Sequence, residues 1–212
     1  MRPILVSQRV EVAGPHGERR DALAQDWPRF LGSAGLLAVA VPNQLDAAKA
    51  LSVELPWSGL LLTGGNDLVS LGGDAGERDA VESWLLEKAL LLRRPVLGVC
   101  RGMQVLLRCF GARLGPVAGH VGLTHSIVCG GGERSVNSYH RFGCTSVPGE
   151  LETWAQAPDG VVEGIRHRTL PLVGIMWHPE RLAPAHADDL ALFARHFGAV
   201  ATEAQGSETC AG

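Results

Sequence analysis

No two of the five cysteines, at positions 100, 109, 129, 144 and 210, stand at a C-x-x-C spacing, and their number is odd. That pattern speaks against a disulfide framework and against a cysteine-built structural zinc site. Dense blocks of Lys or Arg are missing too, and with a formal net charge of −3 no nucleic-acid surface is expected. No apolar run approaches the roughly 20 residues that span a bilayer. The short apolar run at 3–6 is far too small for a secretory signal, so the expected location is the cytoplasm. Internal repeats and a convincing linker are also lacking. The chain therefore reads as one α/β domain over residues 1–198 and a loose, small and polar tail over 199–212.

What is present suits a globular domain. With 212 residues, 46% of them hydrophobic, the chain can bury a sizeable core. Short apolar runs at 4–6, 36–41, 59–63 and 96–99 read as strands. Between them Leu23, Trp27, Phe30, Leu31 and Ala34, and later Val81, Trp84, Leu85 and Ala89, recur at helical spacing. A further helix is expected over 101–110, stopped by Gly111. Apolar strands joined by helices predict a parallel sheet covered on both faces. The second half reads as strands at 125–129, 153–157, 161–166 and 172–176 between Gly/Pro turns, then a last helix over 187–197. The glycines at 130–132 read as a flexible loop, and Trp27, Trp84 and Trp154 as packing residues.

Chemistry is concentrated at three strand ends. In "LGVCRGMQ" a strand stops at Val99 and a helix pattern starts just after Cys100, which is flanked at minus two and plus two by Gly98 and Gly102. G-x-C-x-G matches a nucleophile elbow, where small neighbours permit a cramped backbone. There the helix N-terminus favours a thiolate, and the Arg101 N–H points outward toward a developing oxyanion. A core cysteine at a strand end is the competing reading; the other four cysteines read as inert. "VGIMWHPE" puts His178 just beyond an apolar strand, with Glu180 placed to hold one ring nitrogen and leave the other for a thiol. "LLLTGGNDL" ends a strand in Gly64-Gly65, where backbone N–H groups can approach a reacting carbonyl.

Taken in order, "TGGND", "GVCRGMQ" and "MWHPE" resemble the class I glutamine amidotransferase superfamily. "VNSYH" (136–140) and "GERDAVESWLLEKAL" narrow the likeness to its stand-alone γ-glutamyl hydrolases. The resemblance implies a flavodoxin-like three-layer α/β sandwich with a mostly parallel central sheet. It implies Cys100 as nucleophile, His178 as base, Glu180 as orienting acid, and oxyanion donors on the backbone of Gly65 and Arg101. Gln104 would hold the glutamyl group, with Ser138 and His140 of the same motif on the substrate pocket. The chemistry it implies is thiolate attack on a γ-glutamyl amide, a thioester intermediate and release of glutamate, with no metal or other cofactor.

Two departures bear on the substrate. After His140 the branch continues with polar residues such as His-Gln, where this chain has Arg141 and Phe142. The segment "SQRVEVAGPHGERRDALAQDW" departs from the putrescine-type hydrolases and is similar to a subgroup acting on γ-glutamyl-CDP-amidate, in the pathway to phosphoramidate groups of surface polysaccharides. Arg19, Arg20 and Arg181 become candidate phosphate partners, against the plainer reading of solvated surface arginines. Other expectations are a γ-glutamyl-GABA hydrolase, a glutaminase subunit that needs a partner synthetase, and a redox-sensing relative built on Cys100.

Overall fold

The computed structural model describes residues 1–130 and 132–198; the expected tail at 199–212, with Cys210, lies outside the described residues. Strand β1 (Arg2–Val6) is followed by a hairpin of β2 (Arg9–Ala13) and β3 (Glu18–Ala22), helix α1 (Asp26–Ser33), strand β4 (Leu36–Ala40) and helix α2 (Leu45–Glu54). Next come β5 (Leu60–Leu62), α3 (Gly76–Leu91), β6 (Val96–Val99) and α4 (Arg101–Cys109). The second half adds β7 (Gly115–Pro116), β8 (Val121–Cys129), β9 (Gly132–Tyr139), β10 (Phe142–Gly143), β11 (Leu151–Gln156), β12 (Val162–His167), β13 (Leu172–Ile175) and α5 (Ala187–His196).

One sheet carries the fold, in the order β4-β1-β5-β6-β13-β12-β11-β8-β9. The first five strands of that order pair in parallel, and the remaining pairs are antiparallel. The reason lies in the connections. In the first half helices separate the strands, so crossovers return the chain in parallel. In the second half only short turns do, and the strands fold back on their neighbours.

The apolar runs are uninterrupted because both sheet faces are buried. Along β1, Ile4 and Val6 pack under α1 and α5, while Leu5 faces the opposite layer; Leu61 opposes Leu60 and Leu62 in the same way. Trp27, Phe30 and Leu31 give α1 its buried stripe at i, i+3 and i+4, and Phe193 and Phe197 come from α5 and its C-terminal end. On the other face Val81, Leu85 and Ala89 of α3 join Met103, Leu106 and Leu107 of α4. The result is the expected three-layer sandwich with a parallel centre. No helix among the described residues is long and apolar enough to cross a membrane.

Several elements had no counterpart in the pattern, among them a hairpin, a helix and a long strand. The β2–β3 hairpin comes from alternating Val10 and Val12 before Gly14 and Gly17, both at positive φ. Helix α2 starts where the Gln44 side chain accepts from the Ala47 N–H at 2.6 Å. Strand β9 pairs with β8, and Gly130, at φ +59°, stands in the turn between them, where a flexible loop is expected from the glycines.

Candidate active site

Parallel strands β5, β6 and β13 bring their C-terminal ends to one edge of the sheet, and the site is built there. Cys100 occupies the sharp turn between β6 and α4 with φ +53° and ψ −109°, a strained conformation for a residue with a Cβ. Its N–H donates to the Ile175 carbonyl at 2.8 Å, and its own carbonyl accepts from Gln104 N–H at 3.1 Å, so the turn is locked at both ends. Gly102 is required: a Cβ there would overlap the Leu62 carbonyl of β5. The Cys100 side chain is 7% exposed and lines a cavity of about 550 Å³ together with Gly65, Asn66, Asp67, Gln104 and Arg141.

Strand β13 runs out at Ile175, and His178 follows just before a short 3₁₀ turn at Pro179–Arg181. The His178 ring is held from several sides. Its Nδ1 lies 2.7 Å from Glu180 Oε1, in hydrogen-bond contact. Asn137 of β9 clamps the backbone, accepting from His178 N–H at 2.7 Å and donating to its carbonyl at 2.8 Å. Tyr139 meets the ring edge-on, with centroids 5.5 Å apart. The other side of the imidazole packs on Gly64, where a Cβ would stand 2.6 Å from His178 Cε1 and 3.5 Å from Cys100 Cβ. Those distances put the Cys100 Cβ, the ring and the glycine backbone in one contact group.

Burial works against the charged imidazole, but hydrogen bonds and charge from Cys100 and Glu180 outweigh it and raise the His178 pKa to about 9. The sign of the linkage follows. His178 titrates near 6.5 in the unfolded chain, so its contribution to stability is complete below that pH and is lost as pH rises toward 9. The urea midpoint of the wild type is therefore expected to fall between about pH 6.5 and 9 more steeply than that of His178→Asn. Parallel pH profiles for the two proteins would remove this linkage.

The glycine loop is fixed from behind by Arg78, fully buried at the start of α3. Its guanidinium donates to the carbonyls of Thr63 at 2.7 Å and Gly64 at 3.1 Å, and also to Gly65. With three carbonyls turned inward, the Gly65 N–H has no protein acceptor among the described residues, and neither has that of Arg101 in the first turn of α4. The Arg101 side chain is not available to a substrate, because it is buried against Glu82 and Asp79.

A model of the family described as "Glutamine amidotransferase class-I" matches residues 24–195. The chain belongs to the class I glutamine amidotransferase family. A γ-glutamyl-CDP-amidate hydrolase of Campylobacter jejuni is 29% identical over 83% of this chain and 88% of its own length. A γ-glutamyl-γ-aminobutyrate hydrolase of Escherichia coli O157:H7 is also 29% identical, over 84% of this chain and 85% of its own. The anthranilate synthase component 2 of Methanothermobacter marburgensis is 36% identical over 46% of this chain and 55% of its own. Among solved structures, a Thermoplasma acidophilum protein provisionally described as a GMP synthase subunit superposes with a TM-score of 0.71 over 93% of this chain and 94% of its own. At 21% identity that likeness shows the fold.

The other residues expected from the amidotransferase motifs divide into two groups. Gln104 lines the cavity and donates to the Phe142 carbonyl at 3.0 Å, leaving its amide oxygen for a ligand. His140 also lines the cavity, but its ring nitrogens face the Phe142 carbonyl and Glu163. Ser138 is a correction: it is fully buried, donates to the His120 carbonyl at 2.7 Å and does not line the cavity, because the β9 register turns it inward. Arg19 and Arg20 stand apart from Gln104 and His140. Both lie on the β2–β3 hairpin away from the cavity lining, Arg19 bound to Glu77 at 2.6 Å and Arg20 to Glu18. Arg181 stacks over the Tyr139 ring at 4.2 Å. Of the two arginines that line the cavity, Arg101 has its side chain buried against Glu82 and Asp79, and Arg141 has its exposed and paired with Asp67 at 2.7 Å. Pattern reading missed Arg78 and Asn137. Their signals were a charged residue inside a helix start and an amide in "VNSYH", and neither announces a partner distant in sequence.

Proposed function

We propose that this protein is a cysteine-dependent hydrolase of γ-glutamyl amides, with Cys100, His178 and Glu180 as its triad. The observation that carries the reading is the His178 ring, bound by Glu180 at Nδ1 and packed on the Gly64 backbone beside the Cys100 side chain at the elbow. The Cys100 thiolate attacks the γ-carbonyl carbon, a C–S bond forms, and the negative charge moves to oxygen between the Gly65 and Arg101 N–H groups. Collapse breaks the C–N bond while His178 gives its proton to the leaving nitrogen. Water then attacks the thioester, its proton passing to His178, and the C–S bond breaks to release glutamate. Gln104 holds the glutamyl group from the cavity wall.

The leaving group is proposed to be CDP-amidate, as in surface-polysaccharide phosphoramidate synthesis. Support comes from the Campylobacter jejuni relative, which aligns over nearly its whole length. A second support is Arg141, 68% exposed at its side chain and poised to exchange Asp67 for a phosphate. The test is kcat/KM on γ-glutamyl-CDP-amidate beside γ-glutamyl-GABA. The nucleotide is expected to be preferred, and Arg141→Ala to raise its KM roughly 10- to 100-fold, the worth of a charge-assisted hydrogen bond, with the GABA substrate unaffected. No turnover of the nucleotide would sink the finer assignment and leave the hydrolase reading standing. A second reading, a glutaminase subunit feeding ammonia to a separate synthetase, draws on the match to anthranilate synthase component 2. Ammonia release from glutamine that requires an added partner would favour it.

A further inference from the structure

Beside the thiol site, four side chains converge from β8, β12 and the residues that flank the β8–β9 hairpin. They are His120, His125, His140 and Glu163, with ligand-capable atoms all within 4.8 Å of one another, and among the described residues they form the one such group found. Glu163 is fully buried, and His120 and His140 are nearly so.

The outward nitrogen of each ring is already committed to an acceptor. His120 Nε2 meets the Asp159 carboxylate at 2.9 Å, His125 Nδ1 the Ser126 carbonyl at 3.0 Å, and His140 Nδ1 the Phe142 carbonyl at 3.2 Å. None of these acceptors carries a hydrogen, so each outward nitrogen donates its N–H and the second nitrogen of each ring turns inward. Those second nitrogens face Glu163. Its Oε1 lies 3.1 Å from His120 Nδ1, 3.1 Å from His140 Nε2 and 3.7 Å from His125 Nε2. His120 Nδ1, His125 Nε2 and Glu163 Oε2 have no hydrogen-bond partner among the described residues. Three ring nitrogens crowded on a buried carboxylate call for a positive charge between them.

We propose that His120, His125, His140 and Glu163 bind one divalent transition-metal ion, zinc by preference, in a structural site beside the catalytic cavity. The donor set is three imidazoles and a carboxylate, which suits zinc. Bonds of about 2.0–2.1 Å make a tetrahedron with edges of about 3.4 Å, and the three Glu163 Oε1 to nitrogen distances of 3.1, 3.1 and 3.7 Å bracket that edge. The outward N–H bonds are the supports that fix the orientation of histidine ligands, Asp159 forming a carboxylate–histidine–metal relay. The ion would tie the β8–β9 hairpin to β12 of the main sheet. That hairpin carries Asn137 and Tyr139, which hold His178. The Phe142 carbonyl that receives His140 Nδ1 also receives Gln104. The site therefore braces one wall of the cavity and takes no part in bond breaking.

The test is a Zn²⁺ titration of chelator-treated full-length protein against a chromophoric chelator, with Co²⁺ absorption as a second readout. One equivalent is expected in the wild type and in Cys100→Ala alike, and Co²⁺ should give tetrahedral bands without a thiolate charge-transfer band. His125→Gln and Glu163→Gln should weaken binding by at least about 10- to 100-fold, and Asp159→Asn by about tenfold. No stoichiometric binding by the folded wild type would overturn the site; a proton or water between the side chains would give that flat titration. Binding lost in Cys100→Ala but kept in His125→Gln would overturn it too, placing the ion on the thiol. The wild-type and Cys100→Ala arms are informative even if a ligand variant fails to fold.

Discussion

Cys100→Ala is expected to lower kcat on γ-glutamyl amides by roughly 10⁴-fold or more, as removal of a covalent nucleophile does, while the protein stays folded. The thiol occupies a position that stability alone would not choose. At φ +53° any residue with a Cβ is strained, at a cost of about 1–3 kcal/mol. Glycine would sit there without strain, so Cys100→Gly should unfold above Cys100→Ala, by about 2–4 °C for each kcal/mol recovered. Both variants should be equally inactive. A thiol kept where glycine is more stable is kept for its sulfur. Iodoacetamide labelling, read at Cys100 by mass spectrometry, should also slow in His178→Ala if the imidazolium stabilises the thiolate. Turnover retained by Cys100→Ala would overturn the mechanism, and labelling unchanged in His178→Ala would remove that histidine from the pair.

What could be read from the chain follows the range of each interaction. The parallel strands were legible because burial on both faces leaves unbroken apolar runs such as "GLLLT" and "PVLGV". The elbow was legible because the small residues it demands fall within five positions, Gly98 to Gly102, although the Leu62 carbonyl that excludes a Cβ at Gly102 lies in β5. His178 and Glu180 are two residues apart, so their contact was local as well. The β2–β3 hairpin was missed because its strands are short and β3 is almost wholly polar and exposed. Ser138 was misassigned because facing inward or outward in β9 depends on register with β8, which no local pattern records. Arg78 and the cluster around Glu163 were invisible for a third reason. Both gather partners from distant parts of the chain: Arg78 joins the Thr63 and Gly65 carbonyls to Glu82, and Glu163 meets histidines from two other strand regions.

Arg78 carries the second large effect. Burial pulls its guanidinium down to about 10, opposed chiefly by the Glu82 charge, so it remains a cation at neutral pH. Glu82 is itself fully buried, its ionised form held by Arg78 at 2.8 Å and by Arg101. Arg78→Met would leave that carboxylate with one cation and three backbone carbonyls without a donor, at a cost of about 3–5 kcal/mol, a large part of a domain's stability. Urea unfolding measures this directly. Stability alone would not show that Arg78 positions the oxyanion donors, and Arg78→Lys separates the two roles. Lysine keeps the charge beside Glu82 and recovers part of the lost stability. Its single ammonium cannot span the Thr63, Gly64 and Gly65 carbonyls that the planar guanidinium bridges. The Gly65 N–H then drifts from the point where charge develops. That loss is felt in the transition state more than in substrate binding, so kcat should fall by about 10²- to 10³-fold with KM nearly unchanged. If lysine restores kcat together with stability, Arg78 acts only as a structural ion-pair partner, and the direction of the glycine loop is set by the elbow and His178 instead.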